Sequence, residues 1–255
     1  DRVEVVGLDE AYLDLEGLHS PHAAMRRLVA AIRQETGLTA SVGIGPNKLV
    51  AKVASDAEKP AGFVVLTREQ ACARFASASP GLVPGIGPKT VDRLRELGIE
   101  TLGALAAAPE EALRARFGPN HGADLLARAR FHGSTQLTLQ RVAVSESRET
   151  TFPQDIGDRA VQEAELARLA GQLCEGLKRP GRTIAIKVRL DDWTTVTRAR
   201  TVAEPTRDAS VVGAVALELL RAYAPARPVR LLGVRVAGFD APAPEVDAGQ
   251  LALPM

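Results

Sequence analysis

A change of pattern near Pro80 constrains this chain more than any other feature. From Pro80 to about Val142 the sequence breaks into short helical stretches separated by Gly and Pro, with no convincing strand. On both sides, strand-like and helix-like runs alternate. One continuous sheet cannot run through such a break, so the pattern predicts an α+β multidomain protein. Residues 1–79 read as a mixed sheet covered by helices, 80–142 as a separate small helical domain, 143–240 as a βαββαβ unit and 241–255 as a flexible tail. In the first part, the runs Val3–Leu8 and Tyr12–Leu15 flank Asp9-Glu10-Ala11 as a hairpin. Ser20-Pro21 opens a helix that stops at Gly37, and Asn47 caps a second helix running to about Ala57. The third part reads as strand, helix, two strands, helix and strand, a ferredoxin-like or split unit.

Composition narrows the class. The chain has 255 residues, 45% hydrophobic and 25% charged, and no apolar run approaches the roughly 20 residues of a membrane span. Disordered, collagen-like and membrane classes are excluded. Cys72 and Cys174 form no ligand spacing and no signal-like segment opens the chain, so a reduced cytoplasmic protein, monomeric and without a membrane partner, is expected. Net charge is +1, but residues 81–240 carry 23 basic and 19 acidic side chains, against 9 and 10 in residues 1–80. Arginine supplies 26 of the 32 basic residues. Its planar fork suits phosphate, although an Arg- and Ala-rich chain also follows from a GC-rich genome. The chain opens on Asp1 and enters a strand at once, so an upstream segment is expected.

Three groups of residues suit chemistry. Asp9 and Glu10 are adjacent, and adjacent strand residues point to opposite faces, so they serve one metal only where a strand ends or turns. The hairpin puts them at such a place, and hard divalent cations such as Mg2+ take carboxylate oxygens; a solvated turn is the alternative. Gly85-Ile86-Gly87, followed by Pro88-Lys89-Thr90 and an amphipathic helix, matches a helix-hairpin-helix motif. Its backbone N–H groups would make a phosphate nest that binds without reading sequence; a Gly-turned helical hairpin with no ligand is the alternative. Lys59, in Glu58-Lys59-Pro60-Ala61-Gly62, follows the second helix where it could reach a triphosphate or remain a surface lysine, and Lys48 and Lys52 share one helix face.

Together these blocks strongly resemble the Y-family of translesion DNA polymerases, in the bacterial DNA polymerase IV branch. The resemblance rests on Gly7-Leu8-Asp9-Glu10-Ala11-Tyr12-Leu13-Asp14, then Ser41 through Asp56, then Lys59-Pro60-Ala61-Gly62. It continues through Pro84-Gly85-Ile86-Gly87 and Ser145-Glu146-Ser147-Arg148-Glu149-Thr150-Thr151-Phe152. It implies a partial palm, a helical thumb and a little finger. Asp9 and Glu10 would then be two of three carboxylates for two Mg2+ ions, and Lys59 would touch the incoming deoxynucleoside triphosphate. Gly85, Gly87 and Lys89 would hold primer–template DNA, with Lys187 and Arg189 on one sheet face and Arg198 and Arg200 on another; a solvated sheet face is the alternative for any one of these sheet residues. Gln250, Leu251 and Leu253 resemble a sliding-clamp-binding peptide without its usual aromatic residue; a frayed terminus is the alternative. The family's remaining metal ligand and its fingers lie upstream of Asp1, so these residues alone are expected to bind DNA better than they extend it. Gly7 stands where the family usually has Ser. The alternative from another class is an inactive, polymerase-derived DNA-binding accessory protein.

Overall fold

The computed structural model describes residues 2–140 and 142–239; the expected tail 241–255 and its Gln250, Leu251 and Leu253 lie outside them. The chain divides into two compact units, Asp1–Gln140 and Arg141–Met255.

The first unit begins with β1 (Val3–Val5) antiparallel to β2 (Ala11–Leu13), Val3 opposite Leu13 and Val5 opposite Ala11. The strands stop short because the chain turns between them, with the amides of Val6 and Gly7 both donating to the Glu10 carbonyl at 2.9 and 3.3 Å. α1 (Pro21–Thr36) starts with Pro in its first turn and ends at Gly37, whose φ of 74° is the left-handed stop that Gly favours. Ser20 precedes α1, but its side chain makes no capping bond. β3 (Val42–Ile44) and β4 (Phe63–Val65) pair in parallel across α2 (Lys48–Ala57), which Asn47 caps by accepting from the Val50 amide at 2.9 Å. The strands expected in one mixed sheet therefore form two separate pairs, one antiparallel and one parallel.

Five further helices follow, α3 (Arg68–Phe75), α4 (Pro88–Arg95), α5 (Leu102–Ala107), α6 (Glu110–Phe117) and α7 (Pro119–Ala129), with a 3-10 turn at Pro80–Leu82. Within residues 80–142, expected as a separate domain, the stretch from Val83 to Phe131 shares one apolar cluster with the segment before it. Leu49, Val50 and Val53 of α2 belong to the same core as Leu94, Leu105, Leu113, Leu125 and Phe131. α6 and α7 pack on each other and α5 packs on α7 and α3, so the cluster runs from α2 through α3 into the later helices.

The second unit is a four-stranded antiparallel sheet, β5 (Ser145–Ile156), β8 (Val229–Phe239), β6 (Gly181–Leu190) and β7 (Thr195–Thr206) in spatial order, with α8 (Arg159–Gly176) and α9 (Ala209–Tyr223). Each helix joins two strands that flank a third, β5 and β6 around β8 and β7 and β8 around β6, which is the split βαβ arrangement. Ile184, Ile186, Val188, Leu232, Val234 and Val236 form the core with Leu166, Leu169, Val212 and Ala216 of the helices. The alternate residues Lys187, Arg189, Gly233 and Arg235 therefore line the other face.

α2 lies so close to β3 that a Cβ on Gly43 would stand 2.0 Å from the Ala51 carbonyl oxygen. Gly43→Ala is expected to destabilise the first unit by about 2–3 kcal/mol through overpacking. Faster amide exchange along α2 and β3 in the intact chain checks it.

Candidate functional site

Asp9 and Glu10 stand where the turn delivers the chain into β2, both exposed. Asp9 Oδ1 lies 3.8 Å from the place a Cβ on Gly7 would occupy, so Gly7 removes a side chain that would have flanked that carboxylate. Glu10 does not stand alone, because its Oε1 accepts from the Lys52 ammonium. Lys52 also lies 3.2 Å from Asp56, and Asp56 lies 2.7 Å from Lys59. The carboxylate and the triphosphate lysine picked from the sequence are thus the two ends of one alternating run, Glu10, Lys52, Asp56 and Lys59. The run exists because Lys52 and Asp56 are one turn apart on the outer face of α2, opposite Leu49, Val50, Val53 and Ala54.

The electrostatics follow from these contacts. The hydrogen bond it donates to Glu10 holds the Lys52 ammonium above its ordinary pKa against the opposing effect of burial. Burial pushes Asp56 upward, but hydrogen bonds from Lys59 and Lys52 outweigh it and keep the carboxyl below its usual value. Burial also pushes the Tyr12 hydroxyl up; Lys52 opposes this, and Glu10, Glu4 and Asp56 add to it.

The sequence offers no signal for a second ionic contact. In Val3-Glu4-Val5 the charged residue is the expected outward one, yet Glu4 is buried while Val5 is 67% exposed. Glu4 accepts from Lys48 Nζ at 2.8 Å and from the Thr138 amide at 2.9 Å. These partners lie 44 and 134 residues away in sequence, beyond any local pattern.

The glycine turn is built as expected, with one difference: its leading arm is only the 3-10 turn. Gly85 has φ of 89°, a conformation that Gly tolerates and other residues rarely adopt. Buried Val83 and Ile86 anchor the turn, Gly87 is the N-cap residue of α4 and Pro88 its first residue, and Lys89 is exposed. The first amides of a helix have no intrahelical acceptor, so this end favours an anion. Arg128, absent from every sequence motif, donates from Nη1 to the Pro84 carbonyl at 2.8 Å.

The four basic residues of the second unit singled out in the sequence, Lys187, Arg189, Arg198 and Arg200, do not share a surface. Lys187 and Arg189 are on the face away from the helices, Lys187 bonded to Glu149 at 2.9 and 3.1 Å and Arg189 to the Thr195 hydroxyl at 2.9 Å. Arg198 and Arg200 pair opposite Ile186 and Ile184 and so point to the helix side, Arg198 lying 5.2 Å over the Tyr223 ring and Arg200 bonded to Glu218. Strand parity separates the pairs, but only the position of the helices tells which face is open.

Among the described residues, no group of three or more His, Cys, Asp and Glu side chains is placed to hold a metal. Two carboxylates, Asp9 and Glu10, remain. They fit a hard divalent cation in donor chemistry, and Glu10 already takes a cation, the Lys52 ammonium.

The run predicts a pH profile. Asp56 titrates lower in the folded chain than unfolded, so its contacts stabilise the first unit above about pH 4 and are lost as pH falls further. Urea unfolding across pH 2–6 is expected to show a smaller acid loss in Asp56→Asn than in the native chain.

Three family models match the chain: the impB/mucB/samB family over residues 1–56, the thumb domain of DNA polymerase-iota over 81–130, and the impB/mucB/samB family C-terminal domain over 143–253. A DNA polymerase IV of Methanoculleus marisnigri is 40% identical over 246 residues, covering 94% of this chain and 68% of the relative. A DNA polymerase IV of Streptomyces coelicolor is 38% identical over 246 residues, covering 93% of this chain and 51% of the relative. The chain thus spans about two thirds of the first relative and half of the second. Of solved structures, the Y-family DNA polymerase chimera Dbh-Dpo4(243-245)-Dbh is similar at a TM-score of 0.80 and 25% identity, over 94% of this chain and 71% of that one. An insertion ternary complex of Dbh DNA polymerase shares the fold at a TM-score of 0.58 and 24% identity, over 94% of this chain and 71% of that one.

Proposed function

The chain belongs to the Y-family of DNA-directed DNA polymerases, in its DNA polymerase IV branch, and on that premise we propose that it takes part in template-directed, error-prone synthesis past damaged template and in DNA repair. The observation that carries this reading is the ionic run from Glu10 through Lys52 and Asp56 to Lys59. It ties Glu10, one of the two carboxylates that would hold metal, to the lysine that would hold the nucleotide.

In this reading Asp9 and Glu10 would hold Mg2+ through their carboxylate oxygens, and the metal would supply charge stabilisation for attack of a primer 3′-hydroxyl on the α-phosphate of the nucleotide, with pyrophosphate as the leaving group. Lys59 contributes a compact positive charge for the triphosphate of the incoming deoxynucleotide, and Asp56 holds it ready at 2.7 Å. The turn at Gly85 and Gly87, with Lys89, takes backbone phosphates of the primer–template. Arg189 and Lys187 offer further phosphate contacts from the open sheet face, and Arg198 and Arg200 lie on the opposite side, at the edge strand β7. The protein acts as a monomer in the cytoplasm, with Gln250, Leu251 and Leu253 as its contact to the sliding clamp. Among the described residues, no helix is long and apolar enough to cross a membrane.

Primer extension with Mg2+ by the natural gene product that carries these residues tests the reading. Asp9→Ala is expected to abolish extension, a loss of at least about a thousandfold, while primer–template affinity stays within about threefold. Binding without extension in both proteins would instead make this a DNA-binding accessory protein.

A further inference from the structure

Arg128 lies in the last turn of α7, far in sequence from the glycine turn, yet its guanidinium is committed to that turn. Nη1 donates to the Pro84 carbonyl at 2.8 Å, and Nε donates to Asp124, one helical turn back, at 2.6 Å. The group lies close against Gly85, where a Cβ would stand 2.8 Å from Nη1 and 3.2 Å from Cζ. A planar trans peptide sets its C=O and N–H on opposite sides. Drawing the Pro84 carbonyl toward α7 therefore turns the Gly85 N–H away from α7.

We propose that Arg128 is a positioning residue for the phosphate site of the glycine turn. It fixes the Pro84–Gly85 peptide plane so that the Gly85 amide is presented outward beside the first turn of α4, before any DNA arrives. Asp124 neutralises part of its charge and holds the fork in plane, which suits a brace better than a phosphate ligand. A preformed donor set loses less freedom on binding than one ordered by its ligand. The inference rests on the reading of this turn as a DNA contact.

Hydrogen exchange and salt-titrated binding to duplex primer–template, both on the intact chain, test it, with Lys89→Ala as the reference. Arg128→Gln is expected to speed exchange of the protected turn amide, that of Ile86, which donates to the Val83 carbonyl at 3.1 Å, by about tenfold. It is expected to weaken DNA binding by about fivefold with no change in the slope of log affinity against log salt. Lys89→Ala removes a phosphate contact, so its slope falls by about 1 while exchange at the turn is unaffected. Asp124→Asn, which leaves the Pro84 bond in place, gives a smaller effect of the same kind as Arg128→Gln. Unchanged exchange in Arg128→Gln overturns the proposal, and a slope reduced by about 1 with unchanged exchange makes Arg128 a direct phosphate ligand. Faster exchange with undiminished affinity also overturns it. If Lys89→Ala is then equally without effect on affinity, the reading of the turn as a DNA contact fails too; if Lys89→Ala weakens binding, only the role of Arg128 falls.

Discussion

The close approach of α2 to β3 is the constraint on which the first unit depends. With no side chain at Gly43, the helix backbone comes down onto the strand. Leu49, Val50, Val53 and Ala54 then enter the core that α4 to α7 complete. The rotation of α2 is thereby fixed by burial, and its charged residues have only the other side left. From there Lys48 reaches Glu4 and Lys52 reaches Glu10, so the apolar face of one ten-residue helix decides where the ammonium groups of the site stand.

The second unit uses the same logic with a period of two. Alternate residues of β6 and β8 pack under α8 and α9, and the remaining ones make a face of small, hydroxyl and basic side chains with Leu231 buried beside Arg189. On that face Glu149 reaches Lys187 by crossing β8 at Gly233, where a Cβ would stand 2.9 Å from the Glu149 Cβ. The missing side chain lets an ion pair span two strands. It also leaves Arg189 and Arg235, rather than Lys187, as the less neutralised cations of the face.

Much of this was legible in the sequence because the determinants are local. Asn47 caps α2, Gly37 stops α1 in a left-handed conformation, and Gly85 takes the positive φ that its turn requires. The adjacent carboxylates at a turn and the basic residue after the second helix are likewise visible in short windows. What was not legible depends on distant partners. Glu4 is buried against the alternation of its strand because Lys48 and the Thr138 amide satisfy it. The faces of Arg198 and Lys187 separate by parity, but which is open depends on where α9 docks. Likewise, short strands at 3–5 and 42–44 do not say whether they share a sheet, and they do not. Arg128 carried no signal at all, since its partner is a backbone carbonyl 44 residues away.

The most direct test of this account is the accessibility of the Lys52 amine. In the intact chain treated with a limiting amine-acylating reagent and read by mass spectrometry, Lys52 is expected to be modified more slowly than exposed Lys178. Glu10→Gln is expected to raise its modification by about three- to tenfold as the paired carboxylate is lost. Equal reactivity of Lys52 and Lys178 in the native chain, unaltered by Glu10→Gln, would contradict the placement of Glu10 on the charged face of α2.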